Sequence, residues 1–239
     1  MTSLVAGPIL LTVNRQEMHL KERNGIMKNC NKKEQQTRRG ILLIACVSAL
    51  IMVFTIVSPQ AAHAHTVTPP PVPGNIQVLA PNEAFLVGHG VGTQNYVCLP
   101  SGPGVAWTLF TPQATLFNDQ LRQVTTHFFS PNPVEGGIVR VTWEDSRDTS
   151  TVWGKVIASS LDANFVKPGA IPWLKVQVVG AQAGPTGGDR LIETTFIQRL
   201  NTVGGVAPST GCSVSTDIGH TAFVPYTADY FFYEQREGR

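Results

Sequence analysis

From Ile76 to Tyr233 the chain alternates short runs rich in Val, Ile, Thr, Phe, Tyr and Trp with clusters of Gly, Pro, Asn and Asp. No stretch of twelve residues keeps a helical apolar period free of Gly or Pro, so the rhythm is that of strands and turns. The expected strands are 84–90, 93–99, 106–110, 123–129, 138–143, 151–159, 173–179, 192–200 and 221–233, with Val91-Gly92 as a tight hairpin between the first two. About nine short strands, each with one apolar face to bury, predict an all-β, single antiparallel domain, either a sandwich or a barrel. Helix is expected to be scarce, with Leu161–Phe165 at most a short turn.

The segment ahead of this pattern has a different chemistry. Residues 1–64 hold 8 Lys/Arg and 3 Asp/Glu, a balance of +5, whereas residues 65–239 hold 10 and 13, a balance of −3. Lys28, Lys32, Lys33, Arg38 and Arg39 precede an uncharged apolar run from Ile41 to Val57, and Ala62-His63-Ala64 follows as a small-x-small site. Basic, apolar and cleavage parts in that order read as a signal peptide cut between Ala64 and His65, which predicts a secreted or extracytoplasmic protein. An uncleaved segment would instead be a single membrane anchor, the one expected route to a membrane. Met27 would give a better-proportioned signal than Met1, and the residues alone do not choose between the two starts.

Residues 65–73, with four prolines in five positions, read as a short semi-rigid polyproline linker, and residues 74–239 as the domain. Cutting after Ala64 leaves Cys98 and Cys212 as the cysteines of the mature chain, and in an oxidising compartment they read as one disulfide. They lack the close Cys or His companions of a zinc site, and no metal or other cofactor is expected. A remote exception is copper held by the amine and ring of an N-terminal His65, although the polyproline linker should keep that residue away from the body. The acidic balance of the mature chain excludes a broad phosphate-binding surface, and so nucleic acid, as a partner.

The chain has no Gly-x-Ser-x-Gly elbow, phosphate loop, His-Glu-x-x-His or dinucleotide fingerprint. Gly88-His89-Gly90-Val91-Gly92 suits a strand under close packing or a bulge, and Asp148-Thr149-Ser150 suits a polar turn better than an aspartic protease site. The candidate pocket residues are His89, His127, Arg199, Tyr226 and Asp229. His89 alternates onto the face of Phe85, Val87 and Val91, where a histidine is usually a hydrogen-bonded core residue; His127 carries the same reading. On the last strand Tyr226, Tyr230 and Phe232 share one face, and Phe223, Asp229, Phe231 and Tyr233 the other. Asp229 among aromatics needs a partner such as Arg199, or else walls a pocket. His220, after Gly219, reads as an exposed turn residue. Trp107, Trp143, Trp153 and Trp173 are either a sugar-stacking platform or ordinary core.

Several strings resemble the domain-of-unknown-function family DUF3455: Ala170-Ile-Pro-Trp-Leu174, Ile197-Gln-Arg-Leu-Asn-Thr-Val-Gly-Gly-Val-Ala-Pro208, Gly211-Cys212 and Val224-Pro-Tyr-Thr-Ala-Asp-Tyr-Phe-Phe-Tyr233. Gly88-His89, Tyr96-Val97-Cys98, Trp107, Ala114-Thr-Leu-Phe117 and Thr126-His127 are similar to it as well. The resemblance implies a secreted or surface single domain, and it implies no activity. Between Pro131 and Arg140 the chain departs from the family pattern, and that segment is expected to be a long loop. The expected function is a non-enzymatic module that binds a small ligand, a glycan or a surface protein. The alternative is a small secreted hydrolase or isomerase whose His89, His127, Arg199 and Asp229 converge on one pocket.

Overall fold

Alternation of apolar and polar residues becomes strand geometry along the whole domain. β1 (Asn82–Ser101), β2 (Gly104–Phe117), β3 (Gln123–Asn132), β4 (Ile138–Asp145), β5 (Thr151–Ser160), β6 (Trp173–Gln182), β7 (Thr194–Gly204) and β8 (Thr221–Gln235) each pair antiparallel with their chain neighbours. β8 then returns to pair with β1 and closes a barrel. Closure removes free sheet edges, and it decides the fold in favour of a barrel. The structure is a computed structural model that describes residues 67–236, all within the unit His63–Arg239. The expected signal segment, the Ala64–His65 cleavage site with its copper reading, and the choice between Met1 and Met27 lie outside the described residues. Among the described residues no helix is long and apolar enough to cross a membrane.

The barrel interior is filled by Leu86, Leu116, Trp143, Val152, Val176, Ile197, Tyr230 and Phe232, all nearly or fully buried. Each fully buried large apolar side chain contributes on the order of 1.5–3 kcal/mol, so these residues hold the wall together from within. Leu191, from the β6–β7 loop, and Ile171, just before β6, join this cluster at opposite ends of the barrel. A second cluster of Ile76, Val166, Ala170, Trp173, Leu200, Phe231 and Tyr233 lies outside the wall over β7 and β8. The last strand therefore buries both faces, in the alternation its sequence predicts.

The expected Val91-Gly92 hairpin does not form; the first two expected strands are one, β1. Its glycines are there for close packing. A Cβ on Gly88 would lie 2.9 Å from Leu116 Cδ2, one on Gly90 2.8 Å from the Tyr230 ring, and one on Gly92 2.5 Å from the Ala114 Cα. The missing side chains make room for Leu116 and Tyr230 inside a narrow barrel.

β2 also runs beyond its expected end at Phe110, passing through Pro112 to Phe117. Pro112 lies outside the part of β2 that pairs with β3, where a missing N–H is tolerated. The segment 131–140 is not a long loop: β3 continues to Asn132, a 3-10 turn spans Pro133–Glu135, and β4 begins at Ile138. Asn132 fixes this turn by accepting from the Val134 N–H, while Arg140 makes a paired ion bridge to Glu135.

The proline-rich segment is packed rather than held away as a spacer. Val67 and Val72 lie against the outer cluster, and Gln198 Nε2 donates to the Ile76 carbonyl at 2.6 Å. Tyr233 in turn donates to Gln198 Oε1, so the polar groups under this segment satisfy one another. Cys98 and Cys212 form the expected disulfide, with Cα atoms 5.5 Å apart, tying β1 to the β7–β8 loop. His220 is exposed just ahead of β8, and Leu161–Phe165 forms only a turn, as the sequence suggests.

Candidate functional site

The wall of the barrel divides the candidate residues into two groups. His89 faces outward and is 42% exposed in its side chain, not a core residue. The apolar alternation misassigns it because a bulge between Ala84 and Leu86 resets the phase of β1, and because glycines occupy the inward positions after Leu86. Asp229 is its direct partner across the β1–β8 ladder, with His89 Nδ1 2.7 Å from Asp229 Oδ1. Asp119, from the β2–β3 turn, lies 3.0 Å from His89 Nε2, and Asn201 Nδ2 donates to Asp229 Oδ2 at 2.7 Å. The Asp229 hydrogen bond raises the His89 pKa most; burial opposes the rise and Asp119 adds to it. With both ring nitrogens facing carboxylates, His89 when protonated clasps β1, β8 and the β2–β3 turn together. Among the described residues no group of three or more His, Cys, Asp or Glu has an arrangement that could hold a metal.

His127, Arg199 and Tyr226 belong to the inner face. His127 stacks on Trp143 with ring centroids 4.4 Å apart and meets Tyr230 at 5.2 Å. The Tyr226 and Tyr230 hydroxyls lie 2.9 Å apart. Arg199 is the register partner of Tyr230 and shares the inward face with Ile197, so it does not reach Asp229 as expected. Its Nε and Nη2 donate to the Pro172 carbonyl at 3.2 and 2.9 Å. Gln94 is buried beside Tyr226: a Cβ at Gly205 would touch the Tyr226 Cβ, the Ile171 side chain and Gln94 Cγ together. The five candidates thus make two sites with a packed wall between them. The single His/Asp/Arg pocket that the hydrolase or isomerase reading requires is not assembled.

His127 connects the interior to the surface. Its Nδ1–H donates to the Thr142 carbonyl at 2.9 Å, which fixes the tautomer and leaves a lone pair on Nε2. Burial lowers its pKa to about 3; the Thr142 carbonyl works against this, and the positive charge of Arg199 adds to it. β2 and β3 pair only along Ala114–Phe117 and Gln123–His127, and beyond Ala114 and His127 they part. The gap opens a cleft of about 510 Å³ lined by Pro112, Ala114, Thr126, His127 and Phe128 among others. That volume is in the range of small-molecule sites.

Sequence reasoning passed over Gln94, Asp119 and Asn201 as site members, and offered Trp143 only as part of a sugar-stacking platform or as core. A Gln-Asn pair directly after the Gly-x-Gly-x-Gly stretch was the available signal for Gln94; Asp119 and Asn201 carry none, because only the closed barrel brings them to β1. Trp143, Trp153 and Trp173 are buried, so three of the four tryptophans are core and form no exposed sugar platform. Asp148-Thr149-Ser150 is a turn: Asp148 Oδ1 accepts from the Ser150 N–H and hydroxyl at 2.8 and 2.6 Å.

No curated protein and no solved structure matches the chain. The profile of the protein family of unknown function DUF3455 does match it, over residues 79–234, which spans all of β1 to β7 and all of β8 but its last residue. The chain belongs to that family, DUF3455.

Proposed function

We propose that this chain is a non-enzymatic binding protein whose barrel takes a small polar ligand through the cleft between β2 and β3. The observation that carries this reading is His127: a neutral imidazole, only 3% exposed, lines the cleft with Nδ1 engaged and Nε2 without a partner among the described residues. A neutral imidazole acceptor with no protein partner, beside a cleft of ligand size, can receive an incoming donor. In another cleft, of about 620 Å³ beneath the proline-rich segment, the buried polar groups among the described residues are taken up: Tyr233, Gln198 and the Ile76 carbonyl bond to one another.

Titration of the purified protein with small alcohols, sugars and organic acids, followed by the ¹⁵N shift of His127 Nε2, tests the reading. A saturable shift at His127 with none at His89 is expected. If no probe moves His127, the reading fails.

We also propose that the chain is exported. The ordered basic, apolar and small-x-small parts ahead of His65 support this, and a disulfide between Cys98 and Cys212 suits an oxidising compartment. N-terminal sequencing of protein recovered outside the cytoplasm should begin at His65; recovery of the intact N terminus from the cytoplasm would reject it.

A further inference from the structure

The groups that project inward behind His127 have an imbalance between donors and acceptors. Nε1 of the 1%-exposed Trp143 has no hydrogen-bond partner, and Nε2 of the 2%-exposed Gln94 makes no close hydrogen bond and faces only the Tyr226 hydroxyl. The Tyr226 and Tyr230 hydroxyls share one hydrogen bond, which uses one proton and leaves the other available. Arg199 supplies a positive charge whose partners, the Pro172 carbonyl and the Tyr230 hydroxyl, are both neutral; among the described residues no carboxylate forms an ion pair with it. Asp145, a fully buried carboxylate, is taken up by Arg190 and by the backbone N–H groups of Arg147 and Asp148. Asp229 is outside the wall. Among the described residues, the interior around Arg199 therefore holds a cation and a set of donors answered at most by neutral groups, with no anion of its own.

We propose that this interior site receives the carboxylate of a small organic acid, with Arg199, Gln94 and Tyr226 as the binding residues and the His127 cleft as the entrance. An ionised carboxylate supplies the acceptor oxygens this donor set calls for, a hydroxyl elsewhere on the acid supplies the donor that His127 Nε2 calls for, and guanidinium is the side chain best shaped to meet the carboxylate. Leu191 and Ile171 pack on the interior cluster at its two ends, and the seam where β2 and β3 part, with His127 on the cleft and against the inner Trp143 and Tyr230 rings, is the route assigned to the acid. Gln94 pairs with Pro112 across the β1–β2 ladder, which sets it directly behind a residue that lines the cleft. This inference rests on the binding reading and specifies the chemical class of its ligand.

The test titrates the protein with acetate and benzoate against their neutral isosteres acetamide and benzamide, reading the side-chain NMR signals of Gln94 and Trp143. Saturable shifts with the two acids, and shifts at least tenfold weaker with the amides, are expected. Arg199→Lys should weaken the acid response roughly tenfold because a point charge replaces the fork. Tyr226→Phe, which removes one hydroxyl from a buried ring, should weaken it severalfold and keeps the test open if the arginine variant does not fold. Equal responses to acids and amides, or a full acid response in both variants, overturn the assignment. If neutral probes move His127 while acids leave Gln94 and Trp143 unmoved, the carboxylate assignment fails and the cleft stands. If nothing moves either group, both fail.

Discussion

His89 and Asp229 face each other across the β1–β8 ladder, imidazole Nδ1 to carboxylate Oδ1 at 2.7 Å, on the outside of the strands that close the barrel. With Asp119 on the other ring nitrogen, the raised His89 pKa makes this clasp strongest when the ring is protonated. A folded-state pKa above the unfolded value of 6.5 gives stabilisation that is complete below 6.5 and is lost as pH rises through the folded value. The melting temperature of the wild type relative to His89→Gln should therefore be highest in mild acid and fall toward alkaline pH. The exposure of His89 and Asp119 makes the difference small and reduced by salt. Thermal melts across pH at two salt concentrations check this, and a difference that grows with pH would contradict it.

His127 should act in the opposite sense. Its folded-state pKa of about 3 lies well below the unfolded value of 6.5, so between them the unfolded chain binds more protons. One such group costs about 1.4 kcal/mol of stability per pH unit as pH falls through that window, and nothing above it. His127→Asn, whose amide can still donate to the Thr142 carbonyl, removes the titration. Urea denaturation at several pH values should show a wild-type acid slope steeper than the variant's by about one proton. Parallel slopes would mean that His127 is not buried and neutral.

How much of this was legible in the sequence depends on whether a feature is local. Facing on β8 was readable because Tyr226, Tyr230 and Phe232 alternate with Asp229, Phe231 and Tyr233 without interruption, and the strand has no bulge in that stretch. The same rule failed on β1, where the bulge after Ala84 shifts the phase and Gly92 resembles a turn residue. Gly92 answers to Ala114 on the neighbouring strand, a contact that local sequence does not contain. The five candidate residues were the right chemical types, yet grouping them requires knowing which side of the wall each takes. Arg199 and Asp229 looked like natural partners by charge, and one residue of register separates them onto opposite faces: Arg199 pairs with Tyr230 and Leu200 with Asp229. The disulfide was readable because just two cysteines, Cys98 and Cys212, follow residue 64.

Loss of that disulfide should be felt through the unfolded chain. Cys98 and Cys212 are separated by 114 positions, and closing a loop of this length is worth at most roughly 4–5 kcal/mol in the chain-entropy model. The double variant Cys98→Ala/Cys212→Ala should lose much of that in chemical denaturation, and reductant should bring the wild type down to the same midpoint. A wild type insensitive to reductant, with a double variant of equal stability, would show that the bond does not form.

The three inward glycines of β1 should rank by what a methyl group would meet. At Gly88 it meets the Leu116 side chain, Cδ2 at 2.9 Å and Cβ at 3.0 Å, and contacts no backbone atom that closely. At Gly90 it meets the Tyr230 ring, which is packed against His127 and Trp143 and cannot move alone. At Gly92 it falls on the Gln113 carbonyl oxygen and the Ala114 Cα, so the β2 backbone itself has to shift. Overpacking a core costs roughly 1–3 kcal/mol, and the backbone clash belongs at or beyond the top of that range. Alanine substitution should therefore destabilise in the order Gly92, then Gly90, then Gly88, measured by chemical denaturation. Gly90→Ala should also shift the Trp143 and His127 NMR signals, because the displaced tyrosine touches both. If Gly88→Ala proves the most costly, the inward packing of β1 assigned here is wrong, since only a different register would place Gly88 against backbone and free Gly92.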